Sequence, residues 1–124
     1  MTASGSGSAP GGAKTDRRAS WFKGVLDLLV LAALTDGESY GYEIAKLLDA
    51  AGFGQIKGGT LYPVLNRLEE AGLVAAEFRA TEKGPGRRYY SLTDAGRTTL
   101  GEQGGLWLAF DGSVREVLAK AGVR

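Results

Sequence analysis

From residue 20 onward the chain alternates between two hydrophobic periods, and the switches between them mark out its elements. Ser20-Trp21-Phe22-Lys23-Gly24 leads into Val25-Leu26-Asp27-Leu28-Leu29-Val30-Leu31, which is apolar almost all round. This predicts a helix capped by Ser20 and buried on more than one side. One side can face its own domain. The other calls for a second partner, a first indication of a dimer. Asp36-Gly37-Glu38 predicts a turn. Ser39 is the expected cap of a second helix over residues 40–50, with Tyr40, Ile44, Leu47 and Leu48 as its buried stripe.

Residues 51–59 form a glycine-rich loop, with Phe53 and Ile56 expected to plug the core. Gly52-Phe53-Gly54 and Gly58-Gly59 superficially match a phosphate-cradling loop. They follow a helix rather than a strand, however, and lack the Gly-Lys-Ser/Thr ending. They read better as the sharp turn between two helices of a helix-turn-helix. The next helix, over residues 58–72, has Leu61, Val64, Leu65 and Leu68 on one face. Thr60 is its expected N-cap and Gly72 its left-handed stop, with Pro63 tolerated in the first turn. Its opposite face carries Thr60, Tyr62, Pro63, Asn66 and Arg67. That surface suits phosphates and base edges; an ordinary solvated face is the plain alternative.

After Leu73 the period becomes two. Val74, Ala76 and Phe78 share one face of a strand, and Arg88, Tyr90 and Leu92 share one face of the next, across a Gly84-Pro85-Gly86 tip. Residues 79–88 hold Arg79, Lys83, Arg87 and Arg88 against Glu82, a local charge of +3. On a hairpin beside a helix-turn-helix this reads as a wing that touches a phosphate backbone. An edge hairpin kept soluble by its charges is the alternative. Thr93 is the expected cap of a last helix from about Asp94 to Ala121. In it, Leu100, Trp107, Phe110, Val114, Val117 and Ala121 recur at three-and-four spacing, with Gln103 in the missing place. Gly96, Gly101, Gly104, Gly105 and Gly112 interrupt it. Each interior glycine costs up to about 1 kcal/mol relative to alanine. The helix is therefore expected to pack against another subunit, where the glycines permit close approach, with a break at Gly104-Gly105 as the alternative.

The predicted fold is α+β, mostly α: a winged helix-turn-helix over residues 20–92 and a C-terminal dimerisation helix over residues 93–124. Residues 1–19, rich in Gly, Ser and Ala, are expected to be a disordered tail. Its Lys14, Arg17 and Arg18 serve either as solubilising charges or as a basic arm on DNA. The chain of 124 residues carries a net charge of only +1, so any nucleic-acid site must come from local clustering. It has no Cys and no His. That excludes thiolate metal sites and removes the commonest general base and metal ligand. No catalytic constellation stands out, and neither a metal nor a cofactor is expected. No apolar run approaches the roughly 20 residues of a membrane span, and no signal peptide is evident, so a cytoplasmic protein without a membrane partner is expected.

Three stretches carry a resemblance. Tyr40-Gly41-Tyr42-Glu43-Ile44, Gly59-Thr60-Leu61-Tyr62-Pro63-Val64-Leu65-Asn66-Arg67-Leu68-Glu69 and Arg87-Arg88-Tyr89-Tyr90-Ser91-Leu92-Thr93-Asp94-Ala95-Gly96-Arg97 resemble the PadR family of transcriptional regulators, in order and at the right separations. The likeness runs over roughly residues 20–121, and the Lys23-Gly24 to Leu34 segment resembles the family's first helix. It implies a homodimeric repressor whose last helix crosses to the partner subunit, in the branch with a single C-terminal helix. It also implies a response to small aromatic or lipophilic compounds, with Trp107 and Phe110 at the corresponding place. The long N-terminal tail and the seam glycines depart from the family pattern.

On this basis Lys57, Thr60, Tyr62, Pro63, Asn66, Arg67, Lys83, Arg87 and Arg88 are the expected contacts to double-stranded DNA. Asn66 and Arg67 would read base edges, Lys57 and Thr60 would hold phosphates, and the wing cations would grip the flanking backbone. Val25, Leu29, Leu100, Trp107, Phe110, Val114 and Val117 are the expected dimer contacts. Trp107 and Phe110 serve either as plain interface packing or as an effector site. The competing function is a winged-helix module that binds protein instead of DNA.

Overall fold

The computed structural model describes residues 15–124. Of the expected tail, residues 1–14, with Lys14, lie outside the described residues. Helix α1 spans Arg18–Ala33 and so begins two residues before Ser20. Asp16 does the work expected of Ser20: its carboxylate accepts the Arg18 amide at 3.0 Å. A short strand β1, Ser39–Tyr40, precedes helix α2, Gly41–Leu48. Ser39 therefore lies ahead of the cap position, and its hydroxyl donates to Glu43 at 3.0 Å. A wide π-helical turn, Asp49–Phe53, leads out of α2. Leu26, Val30, Leu31, Leu34, Ile44 and Leu48 are buried, as is the loop plug Ile56. Two expectations fail in this region. Leu47 is half exposed and stands outside the buried stripe. Phe53 is also largely exposed and packs its ring 5.3 Å from that of Phe22 instead of entering the core.

Helix α3 spans Gly58–Glu70 and starts earlier than Thr60 predicts. Lys57 holds the N-cap position, and its carbonyl accepts the amides of Thr60 at 2.9 Å and Leu61 at 3.0 Å. Pro63 thus falls in the second turn, where its missing N–H leaves the Gly59 carbonyl without a helical donor. The other end behaves as expected. Gly72 turns left-handed at φ +76, and the Leu73 amide closes on the Leu68 carbonyl at 2.9 Å. Strands β2, Val74–Arg79, and β3, Arg87–Leu92, follow as an antiparallel hairpin. Among the described residues the sheet has three strands in the order β1-β3-β2. Val74 pairs with Leu92, Ala76 with Tyr90 and Phe78 with Arg88. Tyr90 and Val74 are buried against α3, whereas Tyr40 turns to the outer face of the sheet opposite Tyr89.

Helix α4, Asp94–Lys120, runs unbroken through Gly101, Gly104, Gly105 and Gly112. At 100° per residue Gly101, Gly105 and Gly112 fall on the face opposite Trp107, Phe110, Val114 and Val117, whereas Gly104 lies beside Trp107 and Leu100 at the flank of the apolar face. Gly101, Gly105 and Gly112 are not part of the apolar seam, and a Cβ at any of the four would meet nothing within 4 Å among the described residues. Gly96 differs. A Cβ there would overlap the Leu73 carbonyl oxygen. Beside it, Thr93 caps α4 by accepting the Gly96 amide at 3.0 Å and donates its hydroxyl to the Gly72 carbonyl at 2.7 Å.

Gly96→Ala is therefore expected to lower the unfolding free energy by about 1–3 kcal/mol through overpacking against a backbone that cannot move aside. Thr93→Val is expected to cost about 1–2 kcal/mol through the lost cap. Because both act at one junction, the double variant should fall short of the sum. Urea unfolding of the three variants checks this; a neutral Gly96→Ala would mean that the approach is looser than described.

Candidate nucleic-acid interface

The outward face of α3 is built by default. Burying Leu61, Val64, Leu65 and Leu68 leaves Thr60, Tyr62, Pro63, Asn66 and Arg67 exposed, with Lys57 exposed at the N-cap. These residues are not equally free. Tyr62 lies over the start of α2, where a Cβ on Gly41 would strike its ring and hydroxyl. Arg67 turns toward α1, and its guanidinium donates to Asp27 at 2.8 Å. Asn66 makes no side-chain hydrogen bond among the described residues and points straight outward.

The wing shows the same division. Arg88 donates to both oxygens of Glu69 on α3, at 3.0 and 2.8 Å. Those bonds hold its already high pKa higher still. Arg79 donates to Glu38 and, at 3.3 Å, to Glu77, and stacks 4.5 Å from the Tyr89 ring. Two of the four basic side chains counted along the hairpin are thus neutralised in space, largely by Glu38 and Glu69 from outside it. Lys83 at the tip and Arg87 have no carboxylate partner among the described residues. Arg87 instead stacks 4.5 Å above the Tyr40 ring. The tip itself is tied by the Thr81 hydroxyl, which lies within 2.9–3.1 Å of the Lys83, Gly84 and Pro85 carbonyls.

The site residues expected from sequence are all exposed on α3 and the wing, and the two elements are joined by Arg88–Glu69, while Arg87 stands on the outer face of the sheet. Sequence reasoning missed the residues that hold them: Asp27, Glu38, Gly41 and Glu69. Only Gly41 carried a local signal, a glycine between two tyrosines where a helix begins. The expected dimer residues Phe110, Val114 and Val117 are exposed along α4, while Val25, Leu29 and Leu100 are half-buried at the edge of the core. Trp107 borders an open cleft of about 440 Å³ between α1 and α4, together with Asp27, Leu28, Leu31, Gln103 and Leu106. Phe110 does not line this cleft, so the two aromatics do not share one wall within a single chain. Among the described residues no helix is long and apolar enough to cross a membrane.

Gly41→Ala should displace Tyr62 without unfolding the protein, because the clash is with the far end of a flexible side chain. Stability is expected to stay within about 1 kcal/mol, the range of the helix preference of alanine over glycine. The nuclear Overhauser contact between the Tyr62 ring and the Gly41 α-protons, expected in the unmodified protein, should have no counterpart at the introduced methyl group in the variant. A Tyr62 ring that keeps its place would contradict the packing described.

Comparison with known proteins places this geometry. Residues 30–102, more than half of the chain, match the family described as Transcriptional regulator PadR-like family. The transcriptional regulator Rv3488 of Mycobacterium tuberculosis is 40% identical over 75 residues, covering 60% of this chain and 68% of that protein. The structure of a PadR family transcriptional regulator from Eggerthella lenta is similar at a TM-score of 0.73 and 35% identity, covering 82% of this chain and 88% of that one. A PadR-like transcriptional regulator from Bacillus cereus is similar at a TM-score of 0.70 and 33% identity, covering 80% and 96%. The chain belongs to the PadR-like family, and it is a DNA-binding transcriptional regulator of winged-helix fold rather than an enzyme.

Proposed function

We propose that the protein is a cytoplasmic repressor that binds an inverted-repeat operator as a homodimer. Residues 20–92 form the DNA-binding unit in this reading, and residues 93–124 the dimerisation helix. The observation that carries it is the exposed polar face of α3, tied to the wing through Arg88–Glu69, together with the exposed wing cations Lys83 and Arg87, which have no carboxylate partner among the described residues. In this reading α3 enters the major groove. Asn66 and Arg67 contact base edges, and Tyr62 and Pro63 pack against the groove wall. Lys57 and Thr60 hold phosphates near the positive end of the helix. Arg67 and Arg88 engage DNA by exchanging Asp27 and Glu69 for acceptors on the duplex. Such exchange is cheap, because exposed ion pairs are worth only about 0–1 kcal/mol.

The homodimer is supported by α4. Trp107, Phe110, Val114 and Val117 lie on one face and are largely exposed in the single chain. Contiguous apolar surface of this kind marks an interaction site. A two-fold dimer built on it would present two α3 helices to half-sites about one helical turn apart. The cleft beside Trp107 is the proposed place for a small aromatic or lipophilic effector.

Genomic DNA pull-down by the purified protein should recover fragments that share an inverted repeat, bound two chains per site. Arg67→Ala is expected to relax base preference at one position per half-site. Arg87→Ala should weaken binding on all sequences and reduce the salt slope by about one per subunit. The same sequence-independent loss from both variants would overturn this division of labour. Val114→Glu should convert the dimer to monomer in sedimentation equilibrium and abolish operator binding; a stable Val114→Glu dimer would exclude α4 as the interface.

A further inference from the structure

We propose that Tyr40 is a positioning residue for DNA binding, whose ring mounts Arg87 so that the guanidinium meets a phosphate with its charge intact. The proposal rests on reading Arg87 as a wing contact to the backbone. Three arginines of the hairpin are held in two different ways. Arg79 and Arg88 are held by carboxylates, Glu38 with Glu77 and Glu69 respectively. A carboxylate fixes a guanidinium but cancels its charge and fills its N–H fork. An aromatic face holds the same flat cation through the ring quadrupole and leaves the edge N–H groups free. Arg87 is held this second way, 4.5 Å from the Tyr40 centroid, and residue 87 is exposed.

The mount is itself fixed. Tyr40 pairs with Tyr89 across β1 and β3, with the rings edge-to-face at 5.4 Å, and lies 6.5 Å from the Tyr42 ring. Tyr89 in turn carries Arg79, which Glu38 anchors. Arg79 and Arg87 are cross-strand partners on the outer face of the sheet, the first neutralised by Glu38 and the second stacked on Tyr40 with its charge intact. The Tyr89 hydroxyl is the polar group that most favours the charged form of Arg87, followed by Tyr40, while the charge of Glu43 reaches it only weakly and that carboxylate is engaged by the Ser39 hydroxyl at 3.0 Å. Residues 1–14 contain no Asp or Glu that could reach over. A guanidinium already held in place loses less side-chain entropy on binding than one that is free. Tyr40 thus contributes to DNA affinity without needing to touch DNA.

The test uses the full chain and operator fragments recovered by pull-down, with affinity measured across salt concentrations. Arg87→Ala should flatten the salt slope by about one per subunit. Tyr40→Phe should bind as the unmodified protein does, since the π face is kept. Tyr40→Leu should lose about two- to tenfold in affinity per subunit, the cost of immobilising one free side chain on binding. In the Arg87→Ala background, Tyr40→Leu should cost nothing further, a coupling that a merely structural role would not produce. If Arg87→Ala flattens the slope but Tyr40→Leu binds normally, or costs the same in both backgrounds, the mount is wrong. If Arg87→Ala leaves the slope unchanged, the phosphate role of Arg87 fails, and the proposal with it. Should Tyr40→Leu not fold, nuclear magnetic resonance of the unmodified protein decides. Upfield-shifted Arg87 side-chain protons and an ordered Nε support the mount; an Arg87 Nε as mobile as that of exposed Arg97 overturns it.

Discussion

The approach of α4 to the end of α3 is the contact on which the rest of the molecule depends. Within a few residues, α3 stops at Gly72, β2 begins at Val74, β3 ends at Leu92 and α4 begins at Asp94. Val74 pairs with Leu92, so the hairpin closes at this point. The Thr93 hydroxyl reaches the Gly72 carbonyl, and the Thr93 amide reaches that of Leu73 at 3.2 Å. Gly96 then lets the α4 backbone rest on the Leu73 carbonyl, where any larger residue would hold it away. The recognition surface, the wing and the long helix take their mutual angles from this junction. A change in the direction of α4 is therefore transmitted to α3 through backbone, not through mobile side chains.

Features written in local chemistry were legible in the sequence. The glycine stop of α3, the Thr93 cap, the alternating faces of the hairpin strands and the apolar stripe of α3 all follow from residues close together along the chain. The helix starts were harder, because several polar residues near each start could have served as cap. Ser20, Ser39 and Thr60 each lay one to three residues inside or ahead of the position actually used. At α1 Asp16 took the role; at α2 and α3 no side chain caps the helix at all. What no local pattern could show was the pairing of charges. Asp27 lies 40 residues from Arg67, Glu38 lies 41 from Arg79, and Glu69 lies 19 from Arg88. A window of sequence over the wing counts four cations. The folded surface leaves Lys83 and Arg87 as the two without a carboxylate.

That redistribution changes how the proposed DNA-facing surface would work. Helix α3 is tethered on one flank to α1 through Arg67–Asp27 and on the other to the wing through Arg88–Glu69. Both pairs are substantially exposed, so they orient side chains more than they stabilise the fold. Phosphates and guanine edges compete for the same guanidinium groups with geometry just as good. The tethers therefore hold α3 and its arginines near their working positions in the free protein and can yield them to a duplex at small cost. Asp27 also borders the cleft beside Trp107, which brings that cleft within one hydrogen bond of Arg67, the residue proposed to read a base edge.

The last helix shows why spacing must be read as geometry. Counted along the chain, glycines and apolar residues of α4 are interleaved, which suggested a seam softened by glycine. Wound at 3.6 residues per turn, Gly101, Gly105 and Gly112 separate onto the opposite face, and only Gly104 stays at the edge of the apolar one. Gly96 and Leu100 lie on the apolar side and pack against their own domain, and the same side continues as Trp107, Phe110, Val114 and Val117. One stripe is thus used twice, first to dock the helix and then to offer a surface. A helix of 27 residues, about 40 Å long, cannot draw its stability from the first turns alone when its far face is glycine. In the proposed dimer, burial of the exposed half of that stripe would offset the glycines. Because the stripe is one continuous face, a second copy laid across it would be fixed in angle to the same junction that aims α3.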